Sequence, residues 1–335
     1  MSIRMTVPPI VVPHPDGFDS ETTALLARLA DEDAAVRRIA LLDIADLEDA
    51  GLLPALVAAL RDDPAPEVRL EAARVLASWE RDEIVEALCG ALLDPDAEVG
   101  AAAAQSLSEL KNPASGTVLR RWVERPEPFV RAATLRALRE LRFADAFEPA
   151  LQALADTTPS VRLEAAAVLG WLKDARALAP LAALATGDAE TDVRRAAVGS
   201  LGFAPATHAV ATSALLDALR DGAWQVREEA ATTLGKLRAP AARAQLVAAL
   251  DDDYWQVRLR AVRALGQIGD AGAAQAVAAL LTHAISNLRK EAALALGELR
   301  DPSTLQALRN ALEDRDPDVR KAARIALQQV ESAAR

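Results

Sequence analysis

The chain is poor in the side chains that most enzyme and metal sites use. Its 335 residues include one cysteine and three histidines, and none of these four lies near another in the sequence. A lone cysteine excludes a disulfide within the chain, and no pair of ligands has the spacing of a zinc site. We therefore predict no catalytic residue, no metal and no cofactor. Cys89 is expected to be a buried, unreactive thiol, and the cysteine usage favours the cytoplasm.

A basic excess and long apolar runs are also missing. The net charge is −11, whereas proteins that bind nucleic acid usually carry positive charge on the binding face. No apolar run reaches the ~20 residues that a membrane-spanning helix needs. We expect neither nucleic acid nor a membrane as a partner.

What the chain does contain is a dipeptide that returns about every 31 residues. Eight Val-Arg pairs keep this period, and Val99-Gly100 and Leu288-Arg289 stand in the two remaining places. The pairs begin at Val36, Val68, Val130, Val161, Val193, Val226, Val257 and Val319. A fixed period of this length is typical of a stack of identical supersecondary units. Such stacks usually present a surface rather than a pocket, so the pattern favours a binding protein over an enzyme.

Three further positions, counted from the valine of each repeat, carry the same type of residue in most repeats. An aspartate lies five residues before it in eight of ten repeats, alanine lies four residues after it in nine, and Leu or Ile lies eight residues after it in all ten. Positions 0, +4 and +8 share one face of an α-helix. This face predicts the buried stripe of a second helix in each repeat, and Ala/Leu-rich segments upstream predict a first helix.

The aspartate and the arginine of each repeat are candidates for a ladder that joins neighbouring repeats. The aspartate can accept backbone N–H bonds near the start of the second helix, and the guanidinium suits a neighbouring carboxylate. Ordinary capping aspartates and solvated arginines are the alternative. The third and fourth repeats depart from the pattern at Gly100, Arg125 and Thr134, so the ladder is expected to be interrupted or bent there. His283, in an aspartate position, is read as a surface or capping variant.

The pattern Asp-x4-Val-Arg-x2-Ala-x3-Leu, often followed by glycine, resembles the HEAT repeat. It is most similar to the short repeats of the HEAT-like phycocyanobilin lyase family and of designed HEAT-type binders, and it covers about residues 20–331. The resemblance implies an all-α fold, a right-handed α-solenoid of about ten helix pairs. We expect a single solenoid domain at 21–335, preceded by a Pro-rich arm or tail at 1–20. The arm would either lie along the first repeat, through Ile10, Val11 and Val12, or remain disordered.

Eleven aromatic residues occur, and several of them share positions in the repeat. In HEAT-like stacks the second helix lines the concave side, so side chains at its exposed positions would face a ligand. Trp and Arg are enriched at binding hot spots. The candidate partner-binding residues are Phe129, Arg136, Trp171, Arg195, Phe203, Trp224, Tyr254, Trp255, Leu259, Arg260 and Arg263.

We place the centre of this candidate surface at Trp224, Trp255, Arg260 and Arg263. The alternative is that some of these rings fold back onto the core between repeats, as Trp171 could do after Gly170. Trp79 and Trp122 lie outside the shared positions, and we expect them to be structural.

Two functions follow from these residues. The first is a non-catalytic scaffold (an adaptor, a regulator or an assembly factor) that holds another protein on the concave face. The second rests on the resemblance alone: a lyase or carrier that handles a tetrapyrrole, either a bilin or haem. Aromatic rings and arginines could hold a flat ring and its propionates. No catalytic residue is carried over, because the shared motif is the structural repeat.

Overall fold

The computed structural model of the chain describes residues 18–333. Over this range the backbone forms α-helices and short 3-10 turns, without a β-strand. The helices alternate as the first and second members of ten pairs, so the all-α solenoid class predicted from the repeat is confirmed. Most of the segment predicted as an arm or tail lies outside the described residues. Its last residue, Ser20, already begins the first helix.

The first helix of each pair is short, and in several pairs a 3-10 turn precedes or extends it. These helices are Ser20–Arg28 (α1), Leu53–Asp62 (α3), Asp82–Ala91 (α5), Ser115–Arg120 (α7), Phe147–Ala153 (α9), Leu178–Gly187 (α11), Ala209–Ala218 (α13), Arg243–Ala248 (α15), Ala274–Ala279 (α17) and Leu305–Asn310 (α19). The second helix carries the Val-Arg pair. These helices are Ala34–Asp46 (α2), Pro66–Val75 (α4), Ala97–Ser108 (α6), Pro128–Glu140 (α8), Pro159–Leu172 (α10), Thr191–Ser200 (α12), Trp224–Lys236 (α14), Trp255–Ile268 (α16), Ser286–Leu299 (α18) and Pro317–Ala333 (α20).

The stripe at positions 0, +4 and +8 of the second helices is buried, as the sequence predicts, except that Val36 at the start of the first stripe is only partly buried. The alanine at +4 is fully buried wherever it occurs, and Thr134 is buried in its place in the fourth repeat. Its hydroxyl donates to the carbonyl of Val130 and so needs no other partner. Because alanine has only a methyl group, helices that pack at this position approach closely.

The chain divides into two compact units, one ending at Val168 and one beginning at Leu169. Within the first unit, α2, α4, α6 and α8 pack in that order along the row of second helices. Within the second unit, α12, α14, α16, α18 and α20 do the same. In both units the first helix of a pair packs on its own second helix. The single solenoid domain expected for residues 21–335 stays a prediction.

Arginine and aspartate side chains join successive repeats at the turn before each second helix. Arg37 donates to both carboxylate oxygens of Asp63 in the next repeat, at 2.7 and 2.8 Å. Its Nη1 donates to the carbonyl of Asp31 in its own repeat at 2.8 Å. Asp63 Oδ1 also accepts the backbone N–H of Ala65. The same bidentate pairing recurs at Arg69–Asp94, Arg131–Asp156, Arg194–Asp221, Arg227–Asp252 and Arg289–Asp314.

We call each of these Arg–Asp pairs a rung. The rungs confirm the ladder predicted between neighbouring repeats. The Arg37–Asp63 pair is the most buried, with 2% and 0% of the two side chains exposed. The hydrogen bond from Arg69 lowers the pKa of Asp94, and that from Arg289 lowers the pKa of Asp314. The ionised forms of Asp94 and Asp314 are therefore favoured by the arginines that they bind, and each carboxylate joins its own turn to the neighbouring repeat.

The ladder is interrupted between the third and fourth repeats, where the sequence predicted a gap. Gly100 takes the arginine position, and the ring of Phe129 lies 3.4 Å from where a Cβ on Gly100 would be. Arg125 takes the aspartate position, and its guanidinium lies 5.2 Å from the centre of the Trp122 ring. The arginine and the aspartate of this rung are both replaced. Neither position therefore carries a rung charge that has lost its partner.

A second irregular rung joins the eighth and ninth repeats through His283. Arg258 Nη1 lies 3.2 Å from His283 Nε2, and the N–H of Ile285 points at Nδ1 at 3.0 Å. A neutral imidazole has one lone-pair nitrogen, so it accepts only one of these two bonds. A carboxylate in this place accepts both. His283 therefore occupies the position of the aspartate but accepts only one of these two hydrogen bonds.

We expect His283→Asp to stabilise the chain by about 1–2 kcal/mol, because it supplies charge-assisted hydrogen bonds to Arg258 and to the Ile285 amide. Urea unfolding of the variant and the parent measures the difference. The matched control is Asp314→His, which puts the same mismatch into the next rung and should lower stability. A His283→Asp chain no more stable than the parent would contradict this account of the rung.

Candidate protein-binding surface

The eleven residues predicted from the sequence lie at three levels of the second helices. Trp224, Tyr254 and Trp255 stand at the helix starts, whereas Trp171 and Phe203 stand at the ends, ten residues after the valine. Twelve residues separate these levels, which is about 18 Å along a helix. The arginines and Leu259 lie between them. The predicted aromatic surface is therefore not one continuous stripe.

An aromatic cluster forms where α14 and α16 begin, and it consists of Trp224, Tyr254 and Trp255. Trp224 and Tyr254 stack with ring centres 5.5 Å apart and planes inclined by 14°. The guanidinium of Arg227 lies 5.7 Å from the centre of the Tyr254 ring. Tyr254 is 45% exposed and Trp255 is 41% exposed. Trp224, the other ring of the stacked pair, is half-buried.

The ladder holds this cluster in place. Tyr254 precedes α16 with extended backbone, and its N–H donates to Asp252 Oδ1. The same carboxylate accepts two hydrogen bonds from Arg227, the residue whose guanidinium lies over the tyrosine ring. A cation over a ring face is favourable, as is an offset pair of rings. The rings of Trp224 and Tyr254 are thus held in place by contacts within the chain.

The predicted arginines already have carboxylate partners. Arg263 donates to both oxygens of Glu291 on the next second helix, at 2.7 and 2.8 Å. Arg260 donates to Glu228 on the preceding one at 3.0 Å. In the first unit Arg136 contacts one oxygen of Glu164 at 2.8 Å, and Arg139 donates to the other oxygen at 2.8 Å. Arg195 lies 3.3 Å from Asp192 of its own helix. Arg136, Arg260 and Arg263 therefore join neighbouring repeats, whereas Arg195 pairs within its own helix.

Sequence reasoning missed the glutamate partners, although a signal was present. Arg136 and Arg263 lie six residues after their valine, and Glu164 and Glu291 lie three residues after the Val or Leu of the next repeat. The pairing recurs only twice in this form, so it stands out less than the Arg–Asp spacing. Comparing offsets between neighbouring repeats, rather than within one repeat, would have found it.

The remaining predicted residues differ in their surroundings. Phe129 is 49% exposed, yet its ring covers Gly100 at the interrupted rung, so part of its role is structural. Trp171 is 41% exposed, which does not place it in the core between repeats. Phe203 and Leu259 are half-buried. Trp79 and Trp122, expected to be structural, are also half-buried.

A polar groove runs beside the arginines over the last repeats. Arg263, Gln267, Glu291, Glu298 and Gln329 line a cavity of about 190 Å³ together with apolar side chains. Glycines let the helices approach here, since a Cβ on Gly235 would lie 2.8 Å from the Cα of Ala264. Glu298 remains exposed at the edge of this cavity, where partial burial of its carboxyl group and the neighbouring Glu291 raise its pKa. The groove thus contains a carboxylate whose charge is disfavoured.

Outside this surface the structure supplies little reactive chemistry. Cys89 is fully buried, as predicted, and burial raises the pKa of its thiol. No three metal-ligating side chains cluster within residues 18–333. In the same range no helix is both long and apolar enough to cross a membrane.

Comparison with known proteins supports the repeat assignment. A family model described as HEAT repeats matches residues 22–78, 53–139, 118–202, 186–258, 212–286 and 280–334. No curated protein matches the sequence closely enough to count as a relative.

Solved structures share the fold at low sequence identity. An engineered protein is 22% identical, with a TM-score of 0.53, over 93% of this chain and 99% of its own. YibA of Escherichia coli is 19% identical, with a TM-score of 0.60, over 77% of this chain and 95% of its own. The karyopherin Kap121p, bound to the extreme C-terminus of the protein phosphatase Cdc14p, is 17% identical with a TM-score of 0.59. That match covers 95% of this chain but 43% of Kap121p.

We expect Glu298→Gln to raise the melting temperature at pH 7, because it removes a charge that burial and Glu291 disfavour. A carboxyl group whose pKa is raised by folding costs stability above that pKa. The gain should therefore vanish below about pH 4, where the group is protonated in both folded and unfolded chains. Thermal unfolding at both pH values measures it. Glu109→Gln, at the same position of the third repeat, is the control, and an equal gain in both variants would refute the explanation.

Proposed function

Because the chain belongs to the HEAT-repeat family, we propose that it is a non-catalytic scaffold that binds another protein. The role is that of an adaptor, a regulator or an assembly factor in the cytoplasm. The binding face is formed by the second helices, on the concave side typical of such stacks. Kap121p, which shares the fold, is itself bound to a segment of another protein, and this supports a protein ligand.

The observation that carries the proposal is the exposed, pre-ordered aromatic cluster. Its rings lie at the starts of α14 and α16, away from the buried 0, +4 and +8 stripe, so the fold does not need them for its core. Exposed aromatic residues of this kind supply most of the binding energy at protein interfaces. Their stacking also lowers the entropy that binding would otherwise cost.

The charges around the cluster suggest what the partner presents. Asp251 and Asp253 flank it and are exposed, and the chain as a whole carries a net charge of −11. A partner segment with apolar side chains beside lysine or arginine would match this surface in both respects. The ion-paired Arg260 and Arg263 then form part of a polar rim rather than the centre of the site.

The tetrapyrrole alternative draws less support. Arginines that would hold propionates must be available to them, yet Arg260 and Arg263 already pair with Glu228 and Glu291. A bound bilin or haem would have to displace these carboxylates. We therefore favour a protein ligand.

Replacing Tyr254 and Trp255 by alanine should weaken partner binding by at least about 2 kcal/mol, roughly thirtyfold in Kd, because both rings are exposed anchors. The tagged parent chain, recovered from its native cells, should carry a stoichiometric protein that mass spectrometry identifies. Titration calorimetry with that purified protein then gives Kd for parent and variant.

The control is Val210→Ala, which truncates an apolar residue that is 51% exposed on the first helix α13. It should leave Kd unchanged. Thermal unfolding should show that neither variant loses its fold. Equal affinity of the aromatic double variant and the parent would place the binding surface elsewhere, and a bound chromophore in place of a protein would favour the tetrapyrrole.

A further inference from the structure

A small pocket lies between α14 and α16, on the exposed face of the second helices. It has a volume of about 240 Å³ and is lined by Thr232, Lys236, Arg260, Arg263 and Gln267. The three residues on α16 are spaced i, i+3 and i+7, and the two on α14 are spaced i and i+4, so each set shares one helix face. Three of the side chains are cations, although the net charge of the chain is −11. The pocket is therefore a local concentration of positive charge.

Several hydrogen-bond donors in this pocket have no acceptor. Arg260 bonds to its glutamate through Nε alone, and Arg263 bonds to its glutamate through Nε and Nη2. The other guanidinium nitrogens of these two residues donate no further hydrogen bond within residues 18–333. In the same range neither the ammonium group of Lys236 nor the side-chain amide of Gln267 has a hydrogen-bonding partner. The arginines can therefore keep their glutamates and still donate to one small ligand.

The size and exposure of the pocket limit what can bind there. The side chains of Arg260 and Arg263 are 35% and 46% exposed, and Lys236 is exposed, so a solute can reach all three. The volume is below the ~300–1,000 Å³ of sites that hold drug-sized ligands, so the pocket has room for one small group and not for a macrocycle. Guanidinium and ammonium groups bind carboxylates and phosphates through charge-assisted hydrogen bonds.

The groove one repeat further on has the same packing but different charges. A Cβ on Gly235 would lie 2.8 Å from the Cα of the next second helix, and a Cβ on Gly266 would lie 3.0 Å from the Cα of the one after it. Between α16 and α18 the four positions equivalent to the charged and amide residues of the pocket carry Gln267, Glu291, Leu294 and Glu298. Two carboxylates thus stand where the pocket has an arginine and an amide. The positive charge therefore comes from the residues at these positions and is not a consequence of helix packing.

We propose that the pocket between α14 and α16 binds a small oxyanion, either a phosphate or a carboxylate group. Lys236, Arg260 and Gln267 donate to its oxygens, and Arg263 adds a further N–H group from the same face of α16. Hydrogen bonds of this kind are roughly twice as strong as those between neutral groups. The inference does not depend on the proposed function, because a free oxyanion is enough to test it.

Nuclear magnetic resonance titration of the full-length chain tests the site, with inorganic phosphate and, separately, with acetate at constant pH and ionic strength. We expect saturable shifts of the amides of residues 232–236 and 260–267. A Kd on the order of 1 mM is expected, because the binding energy of so small a ligand is limited. Tighter binding of phosphate would assign the site to a phosphate group, and tighter binding of acetate would assign it to a carboxylate. Shifts that do not saturate with either anion would overturn the proposal.

Three variants separate binding in the pocket from attraction by net charge. Lys236→Gln should weaken binding at least about tenfold, because it removes a charge-assisted hydrogen bond. The matched control is Lys321→Gln, which removes the same charge from α20, outside the pocket, and should leave Kd unchanged. Gln267→Glu places a carboxylate in the pocket, as Glu298 does in the next groove, and should abolish binding. Thermal unfolding checks that each variant folds. Equal Kd values for the two lysine variants would show that the pocket is not the site.

Discussion

The bidentate Arg–Asp rung is the interaction on which the rest of the structure depends. One carboxylate fixes the turn of its own repeat through a backbone N–H and also binds the arginine of the preceding repeat. That arginine is tied by a further bond to a carbonyl in its own repeat. Each rung therefore sets the register of two repeats at once. Because its charges are paired and hydrogen-bonded, a rung such as Arg37–Asp63 can be almost fully buried.

The rungs fix the register of the repeats at the turns, and valine, alanine and leucine fill the core. The exposed face of the second helices is therefore less needed to hold the fold together. Part of it is used for Arg–Glu pairs between repeats, as at Arg263 and Glu291. Another part carries the stacked rings of Trp224 and Tyr254, whose position the rung at Asp252 controls. The same interaction that builds the stack thus orders the surface that we propose binds a protein.

The fold could be predicted because its signals recur: ten repeats agree on the 0, +4 and +8 stripe, and the Asp–Arg spacing repeats almost as often. Even the gap at Gly100 and Arg125 is visible in the sequence. The candidate site was harder. The separation of Trp171 and Phe203 from Trp224 follows from counting residues along the helix, but the stacking of Tyr254 depends on turn geometry. The glutamate partners of Arg136 and Arg263 lie in other repeats at offsets that seldom recur. An interaction that occurs only once or twice gives no periodic signal in the sequence.

Hydrogen–deuterium exchange of the turn amides tests most directly whether the rungs hold the repeats. The amides of Ala65, Asp96, Thr158, Ala223 and Asp316 each donate to a rung aspartate. The equivalent amides are those of Ile285 at the His283 rung and Glu127 at the missing rung. The account predicts slow exchange at the five aspartate rungs, faster exchange at Ile285 and the fastest at Glu127. Equal protection at all seven amides would show that packing alone, and not the ladder, sets the register of the repeats.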